Sequence, residues 1–196
     1  MATNFRQLCW LVRLTDANLS TIKNPTAESE QSALNSLAPD EAEKEFLKCC
    51  SSRNWAQRMV AERPFASLEG MVEAGDRIWW LLGPEDWLEA FRSHPKIGEK
   101  KAAQQVSEES RAWSEHEQSG VENSAPDAMR ALAELNHVYE EKFGYIFIVC
   151  ATGKSSEEML AILRARLENP AGTELRIAAA EQAKITQLRL RKLLAS

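Results

Sequence analysis

Three histidines are the side chains best suited to proton transfer near neutral pH: His94, His116 and His137. No two of them have the His-x-x-x-His spacing of a metal site, and the chain has no Cys-x-x-Cys pair. His94 is distinguished by the proline that follows it, which keeps its backbone out of a helix. A histidine held in such a bend can act as an acid/base group or can simply cap a helix. The residue types therefore favour acid/base chemistry without a metal or cofactor.

A carboxylate, an amide and a guanidinium stand in contexts that can bind a small polar molecule. Glu117 and Gln118 belong to a polar run that is either a solvated helix face or a face directed toward a pocket. Arg189 lies between two leucines near the end of the chain. Its guanidinium either lies along a helix surface with its stem buried, or grips a carboxylate or an imide-like edge.

Helices are the elements expected to position these groups. The chain has 196 residues, of which 44% are hydrophobic and 27% charged, with only 8 glycines and 7 prolines. This composition is sufficient for one core and favours helices over sheets. Capping residues and apolar periodicity predict helix starts at eight places. They lie near Pro39, Ser52, Ser67, Pro84, Ser107, Pro126, Ser155 and Thr173.

One apolar run, at about residues 145–151, breaks the helical pattern between Gly144 and Gly153. The sequence offers no second strand-like run to pair with it, so we expect a short, buried extended segment threaded among helices. Its backbone polar groups would then be available to a ligand. The predicted fold is an all-α, single-domain helical bundle over residues 33–196, preceded by a flexible N-terminal extension over residues 1–32.

Charge and hydropathy exclude two classes of partner. The net charge of −5 argues against a protein that binds nucleic acid through a basic surface. No apolar run is long enough to span a membrane. The four cysteines are expected to be reduced thiols, which favours the cytoplasm. A peroxisomal or other organellar compartment is the alternative, although the chain does not end in Ser-Lys-Leu.

Four segments in this order carry a family resemblance: Trp87–Gly98, Ser114–Gln118, Lys142–Ser155 and Glu174–Leu190. Together they resemble the 2-oxo-4-hydroxy-4-carboxy-5-ureidoimidazoline (OHCU) decarboxylase family. Each segment alone would be a weak signal, whereas four in the right order are specific. The resemblance extends over about residues 34–194, which is nearly the whole predicted domain.

The resemblance implies an all-helical, usually dimeric enzyme that needs no cofactor and no metal. It implies decarboxylation of OHCU to (S)-allantoin and carbon dioxide, the last step from urate to allantoin. The expected partners are the small ureidoimidazoline substrate, a second copy of the chain, and a functional coupling to hydroxyisourate hydrolase and urate oxidase. Neither nucleic acid nor a membrane is an expected partner.

The resemblance also implies the site residues. The expected catalytic residues are His94, Glu117 and Arg189, with His94 as a general acid/base whose pKa is about 6.5. Glu117 would orient His94 or the ureido group, and Arg189 would hold a ring carbonyl or stabilise developing negative charge. Whether His94 or Glu117 gives the final proton stays open. The expected substrate-binding residues are Pro95, Ser114, Glu115, His116, Gln118, Phe147, Ile148, Val149, Cys150 and Ala151.

Two other functions stay open from the sequence. One is an acid/base hydrolase that acts on another ureide and shares the site but not the product. The other is a helical interaction module without catalytic activity. A broken set of His94, Glu117 and Arg189 would favour the module, and all three are present.

Overall fold

The computed structural model describes residues 25–97, 113 and 126–194. Within these residues the chain forms helices and no strand, which confirms the predicted all-α bundle. The helices are α1 (Pro25–Ser36), α2 (Pro39–Cys49), α3 (Arg53–Ala61), α4 (Leu68–Trp80), α5 (Pro84–Phe91), α6 (Pro126–Phe143), α7 (Ser156–Arg166) and α8 (Ala171–Leu193).

The helix starts follow the predicted caps. Ser52, Ser67 and Ser155 each accept a hydrogen bond from the backbone amide three residues later, at 3.0–3.3 Å. Each bond satisfies an amide that the first turn of a helix leaves without a partner. Pro84 and Pro126 are the first residues of α5 and α6, where a missing N–H costs nothing.

Helix α1 begins at Pro25, so residues 25–32 of the predicted N-terminal extension are helical. The C-terminal half of α1 is held by tertiary contacts. The Leu34 side chain is buried. The side-chain amide groups of Gln31 and Asn35 donate to the Phe65 carbonyl at 2.6 and 2.9 Å. Residues 1–24 lie outside the described residues, so the division between extension and domain stays a prediction. The last helix also begins at Ala171, slightly before the predicted Thr173.

The core has two apolar clusters, and the extended segment lies between them. The first cluster is built from α1–α5 and α8, and the second from α6, α7 and Ile97. Ile148 and Cys150 belong to the first cluster, whereas Phe147, Val149 and Ala151 belong to the second. Successive side chains of an extended chain point in opposite directions. This alternation explains why an unpaired segment is continuously apolar, and it confirms the predicted extended, buried conformation.

Helix α8 is the element against which the site is assembled, since it packs on α2, α4 and α5. Its register relative to α4 is fixed by the Trp79 indole, which donates to the Ala179 carbonyl at 2.9 Å. A buried indole N–H needs such an acceptor, so this bond also orients a large core side chain. No described helix has the length and apolar character needed to cross a membrane.

Candidate active site

His94 lies at the corner where α5 ends. Its amide donates to the Phe91 carbonyl at 3.2 Å, and Pro95 then turns the chain away from a helical path. The half-buried imidazole borders a cavity of about 350 Å³. The cavity is lined by Leu88, Phe91, Arg92, His94, Pro95, Lys96, Glu140, Gly144, Tyr145 and Ile146. The predicted residues His94 and Pro95 therefore share one concave surface with the start of the extended segment.

The imidazole of His94 is hydrogen-bonded to a glutamine of α8. His94 Nε2 lies 2.7 Å from Gln182 Oε1, and the Gln182 side chain is fully buried. The nitrogen of the same amide donates to Thr186 Oγ1 at 3.2 Å. Because the amide oxygen faces the imidazole, Nε2 carries the hydrogen in this arrangement.

The environment of His94 keeps its imidazole neutral. Desolvation lowers its pKa, the positive charge of Arg189 lowers it further, and the Gln182 bond offsets only part of this effect. The resulting pKa is about 3, against an ordinary value of 6.5. The expectation of an unperturbed histidine near 6.5 is therefore wrong. At neutral pH the group can accept a proton or donate its N–H, but it is not an imidazolium acid.

Arg189 is buried, with only 3% of its surface exposed. This contradicts the alternative of an arginine lying along an exposed helix surface. It follows Gln182 by seven residues and Thr186 by three, so all three side chains lie on one face of α8. Its charge acts on the pKa of His94 and on those of the buried Cys49 and Cys50 thiols. The structure thus brings two of the three predicted catalytic residues, His94 and Arg189, into one neighbourhood.

The extended segment is bounded by two glycines in the left-handed region. Gly144 has φ 79° and Gly153 has φ 77°. A residue with a side chain rarely adopts this conformation, so the glycine punctuation of the sequence has a backbone cause. Gly144 ends α6, where its amide donates to the Glu140 carbonyl at 2.8 Å.

Charged side chains hold part of the extended backbone. Arg166 Nη1 donates to the Ile148 carbonyl at 2.8 Å, and the Cys150 amide donates to Glu181 Oε2 at 2.8 Å. Lys154 Nζ donates to the Cys150 carbonyl at 2.6 Å. The prediction that these backbone groups would be available to a ligand is wrong for Ile148 C=O and for both polar groups of Cys150. Among the described residues, no acceptor is bonded to the amides of residues 147–149 and 151.

A buried ion pair with Glu174 holds Arg166 against the extended segment. Arg166 lies 2.6 Å from Glu174, which also accepts from Asn169 at 2.7 Å and from the Tyr139 hydroxyl. The guanidinium carbon stands 4.7 Å from the centre of the Phe147 ring. The carboxylate of Glu174 is fully buried, so these donors replace its lost hydration. The network joins α6, α7 and α8 to the extended segment.

Several predicted site residues lie outside the described part of the chain. They are Ser114, Glu115, His116, Glu117 and Gln118. Their neighbour Trp113 is described and packs, half-buried, on the first apolar cluster. His137 is an exposed residue of α6. In the described ranges, no group of three or more His, Cys, Asp or Glu side chains is arranged to hold a metal ion.

Sequence reasoning missed four residues that organise the site: Gln182, Thr186, Glu181 and Arg166. A signal existed for two of them, because Gln182 and Thr186 precede Arg189 by seven and three residues on one helix face. The other two gave no signal, since a charged residue in an amphipathic helix is usually solvated. Their functional position follows only from the contacts they make across the fold.

Residues 35–191 match the family model described as OHCU decarboxylase. The "Uric acid degradation bifunctional protein TTL" of Arabidopsis thaliana is 40% identical over 158 residues, which are 80% of this chain and 48% of that protein. The 2-oxo-4-hydroxy-4-carboxy-5-ureidoimidazoline decarboxylase of Xenopus laevis is 31% identical over 134 residues, which are 66% of this chain and 74% of that protein. The chain thus spans about half the length of the Arabidopsis relative.

A solved structure also matches. It is a crystal structure of OHCU decarboxylase in the presence of (S)-allantoin, with a TM-score of 0.68 and 37% sequence identity. The match covers 78% of this chain and 99% of the other. The family match includes the positions of His94, Gln182 and Arg189.

Proposed function

This chain belongs to the OHCU decarboxylase family, and from that premise we propose that it converts OHCU to (S)-allantoin and carbon dioxide. The observation that carries the proposal is the pairing of a neutral His94 with the buried cation of Arg189 beside it. Both lie within the matched region. A neutral imidazole and a desolvated guanidinium suit a small anionic substrate that must lose a carboxylate and exchange a proton.

The reaction needs an electron sink and one new C–H bond. The reacting carbon of OHCU carries a carboxylate and a hydroxyl, and its ring neighbour is the imine carbon that bears the ureido group. When the carbon–carboxylate bond breaks, carbon dioxide leaves and the electron pair moves through the new ring double bond to the imine nitrogen. The imine nitrogen gains a proton from solvent, and the hydroxyl becomes the ring carbonyl as its proton is transferred to the ureido carbon. Delivery of that proton to one face produces one hand of allantoin.

Arg189 and His94 can supply the two functions that this reaction needs, charge stabilisation and proton transfer. The guanidinium of Arg189 would stabilise the negative charge that moves onto the ring, where burial strengthens the interaction. Its planar fork can make two parallel hydrogen bonds to a carboxylate or an imide edge. His94 would accept the hydroxyl proton and return it. An anionic substrate beside Arg189 offsets the charge that depresses the pKa of His94, so substrate binding itself makes the imidazole more basic.

The remaining parts of the site are proposals carried over from the family resemblance. Glu117 would orient His94 or the ureido group, and Gln118 would bind an amide edge. The amides of residues 147–149 and 151 would donate to substrate oxygens. Pro95 would contact the substrate beside His94, and Ser114, Glu115 and His116 would complete the site. No cofactor or metal takes part in this scheme.

The proposal extends to partners and location. The chain would act as a homodimer, in the cytoplasm or in an organelle such as the peroxisome. It would be coupled functionally to urate oxidase and hydroxyisourate hydrolase, which together supply its unstable substrate. Relatives named as bifunctional uric acid degradation proteins support a link to that pathway.

Circular dichroism in the ultraviolet tests the proposed reaction, because allantoin is chiral. Urate would be converted by urate oxidase and hydroxyisourate hydrolase, and the protein would then be added with a chelator present. We expect rapid appearance of (S)-allantoin, with no effect of the chelator. Decay of the intermediate at its spontaneous rate to racemic product would contradict the proposal and favour the hydrolase of another ureide or the interaction module.

A further inference from the structure

His94 borders the cavity, and a line of hydrogen-bonded side chains leads from it into the protein through Gln182 and Thr186, neither of which lines the cavity. His94 Nε2 is bonded to Gln182, and Gln182 is bonded to Thr186. Thr186 also lowers the pKa of the neighbouring Cys50 thiol, although burial raises that pKa overall. Gln182, Thr186 and Cys50 are each at most 5% exposed. Gln182 is not a cavity-lining residue, so it reaches the cavity only through the imidazole.

The partner on the imidazole is neutral, which is unusual for a histidine that exchanges protons. Histidines are often oriented by a carboxylate, which also stabilises the imidazolium and raises the pKa. In the described part of the chain, no carboxylate lies within ion-pair distance of His94. An amide oxygen instead fixes which nitrogen carries the hydrogen without adding negative charge.

The charged groups around His94 are consistent with a neutral ring. Arg189 faces it from α8, and Arg92 and Lys96 border the same cavity from the corner. Glu140 of α6 also borders the cavity, and its carboxylate lies 2.7 Å from Lys96 Nζ. Two cations thus border the cavity and a third acts on the His94 ring from α8, whereas the one carboxylate among the described residues of the cavity is bonded to a lysine.

We propose that Gln182 is a positioning residue for the decarboxylation: its amide oxygen holds His94 as the tautomer protonated at Nε2 and leaves Nδ1 as the atom with the lone pair. This inference rests on the proposed function, because it assigns the proton acceptor of that reaction to one nitrogen. The Thr186 hydroxyl accepts a hydrogen bond from the Gln182 side-chain nitrogen, and this bond keeps the amide oxygen turned toward His94. Gln182 does not line the cavity, so we expect its loss to lower kcat more than it changes KM.

The tautomer can be measured directly by ¹⁵N–¹H correlation spectra of the protein labelled at histidine nitrogen. The three histidines are separated by comparison with H116Q and H137Q. In the wild-type protein at pH 7.5 we expect His94 to be neutral and protonated at Nε2. In Q182L, which removes both amide atoms at similar volume, we expect a mixture of tautomers. We also expect kcat to fall by about 10- to 100-fold with KM changed by less than about threefold.

A second variant keeps the proposal testable if Q182L folds poorly. Q182E retains an oxygen acceptor but adds a negative charge next to the imidazole, which raises the pKa of His94. We expect its spectra to show an imidazolium at pH values where the wild-type ring is neutral. We also expect the transition in its pH–rate profile to move to higher pH. The matched control is Q187L on the same helix, since Gln187 is half-buried and bonded to Asp76 at 3.2 Å. It should leave the tautomer and kcat unchanged.

Three results would overturn the inference. One is a wild-type His94 protonated at Nδ1 or doubly protonated at pH 7.5. Another is a Q182L protein with an unchanged Nε2–H signal or with kcat within about threefold of wild type. The third is a Q182E protein whose His94 titrates as in the wild type. Failure of the proposed function is distinguishable, because the tautomer is measured on the free protein and the decarboxylation is measured separately.

Discussion

The amide of Cys150 donates a 2.8 Å hydrogen bond to the carboxylate of Glu181, so the extended segment is joined directly to helix α8. The next residue of α8, Gln182, bonds His94. One turn of α8 therefore sets the positions of both the segment and the imidazole. This arrangement makes α8 the reference for the whole site, with Arg189 two turns further along.

Replacement of Glu181 by glutamine should weaken the hydrogen bond between the extended segment and α8. Partial burial alone would raise the pKa of Glu181. Hydrogen bonds from Lys184 and the Cys150 amide, together with the charges of Lys184 and Lys154, instead lower this pKa below its ordinary value of 4.5. E181Q keeps an oxygen acceptor and loses the charge, so we expect a loss of about 1 kcal/mol in the free energy of unfolding at pH 7. Urea titration followed by far-ultraviolet circular dichroism measures it.

The same carboxylate gives a pH dependence with a defined sign. Its folded pKa lies below its unfolded pKa, so the unfolded chain binds more protons as the pH falls. The stabilisation is complete above the unfolded value and is lost as the pH falls through the folded value. The difference in unfolding free energy between wild type and E181Q should therefore shrink from pH 7 to pH 3. An equal difference at both pH values would contradict the role of the charge.

Loss of Arg166 should be far more costly than loss of Glu181. R166M removes the partner of a fully buried Glu174 and the donor to the Ile148 carbonyl. An uncompensated buried carboxylate typically costs about 3–5 kcal/mol. Chemical denaturation of R166M, with R164M on the exposed face of the same helix as control, measures this. A loss below about 1 kcal/mol in R166M would show that the network contributes little to stability.

Gly144 provides a test of the backbone that ends α6. Gly144 has φ 79°, a backbone angle at which an alanine is strained. The strain would come from the backbone alone, because no atom lies within 4 Å of the position that the alanine Cβ would take. We expect G144A to destabilise the protein by about 1–2 kcal/mol. G172A is the matched control, since Gly172 lies in the exposed first turn of α8 and also has open space. Alanine should be neutral or stabilising there, so equal losses in the two variants would refute a cause in the backbone angle.

Arg189 should be needed for its shape as well as its charge. R189K keeps a cation beside His94 but cannot reproduce the planar fork, and we expect kcat/KM to fall by about 10²–10³. R191K is the control, since Arg191 is exposed and lies 3.6 Å from Glu69 on the protein surface. Steady-state decarboxylation rates compare the two. Near-normal kinetics of R189K would show that Arg189 has only a structural role.

The sequence predicted most of the described helices, and it singled out two residues that the structure places near each other, His94 and Arg189. Helix caps and the glycines at 144 and 153 act locally, so their residue types carry the information. His94 and Arg189 were found from local context and family resemblance. Gln182 and Arg166 were not, because the partners that define them are 88 and 18 residues away along the chain. The pKa of His94 also depends on desolvation and on Arg189, which no local pattern contains.

The central claim is that His94 exchanges the proton in a decarboxylation that yields (S)-allantoin. The most direct test compares the initial rate of (S)-allantoin formation by wild type and H94A at equal folded concentration, with H137A as a surface control. We expect H94A to be slower by about 10²–10⁴ while H137A matches the wild type. An H94A protein that folds normally and forms (S)-allantoin within tenfold of the wild-type rate would contradict the claim.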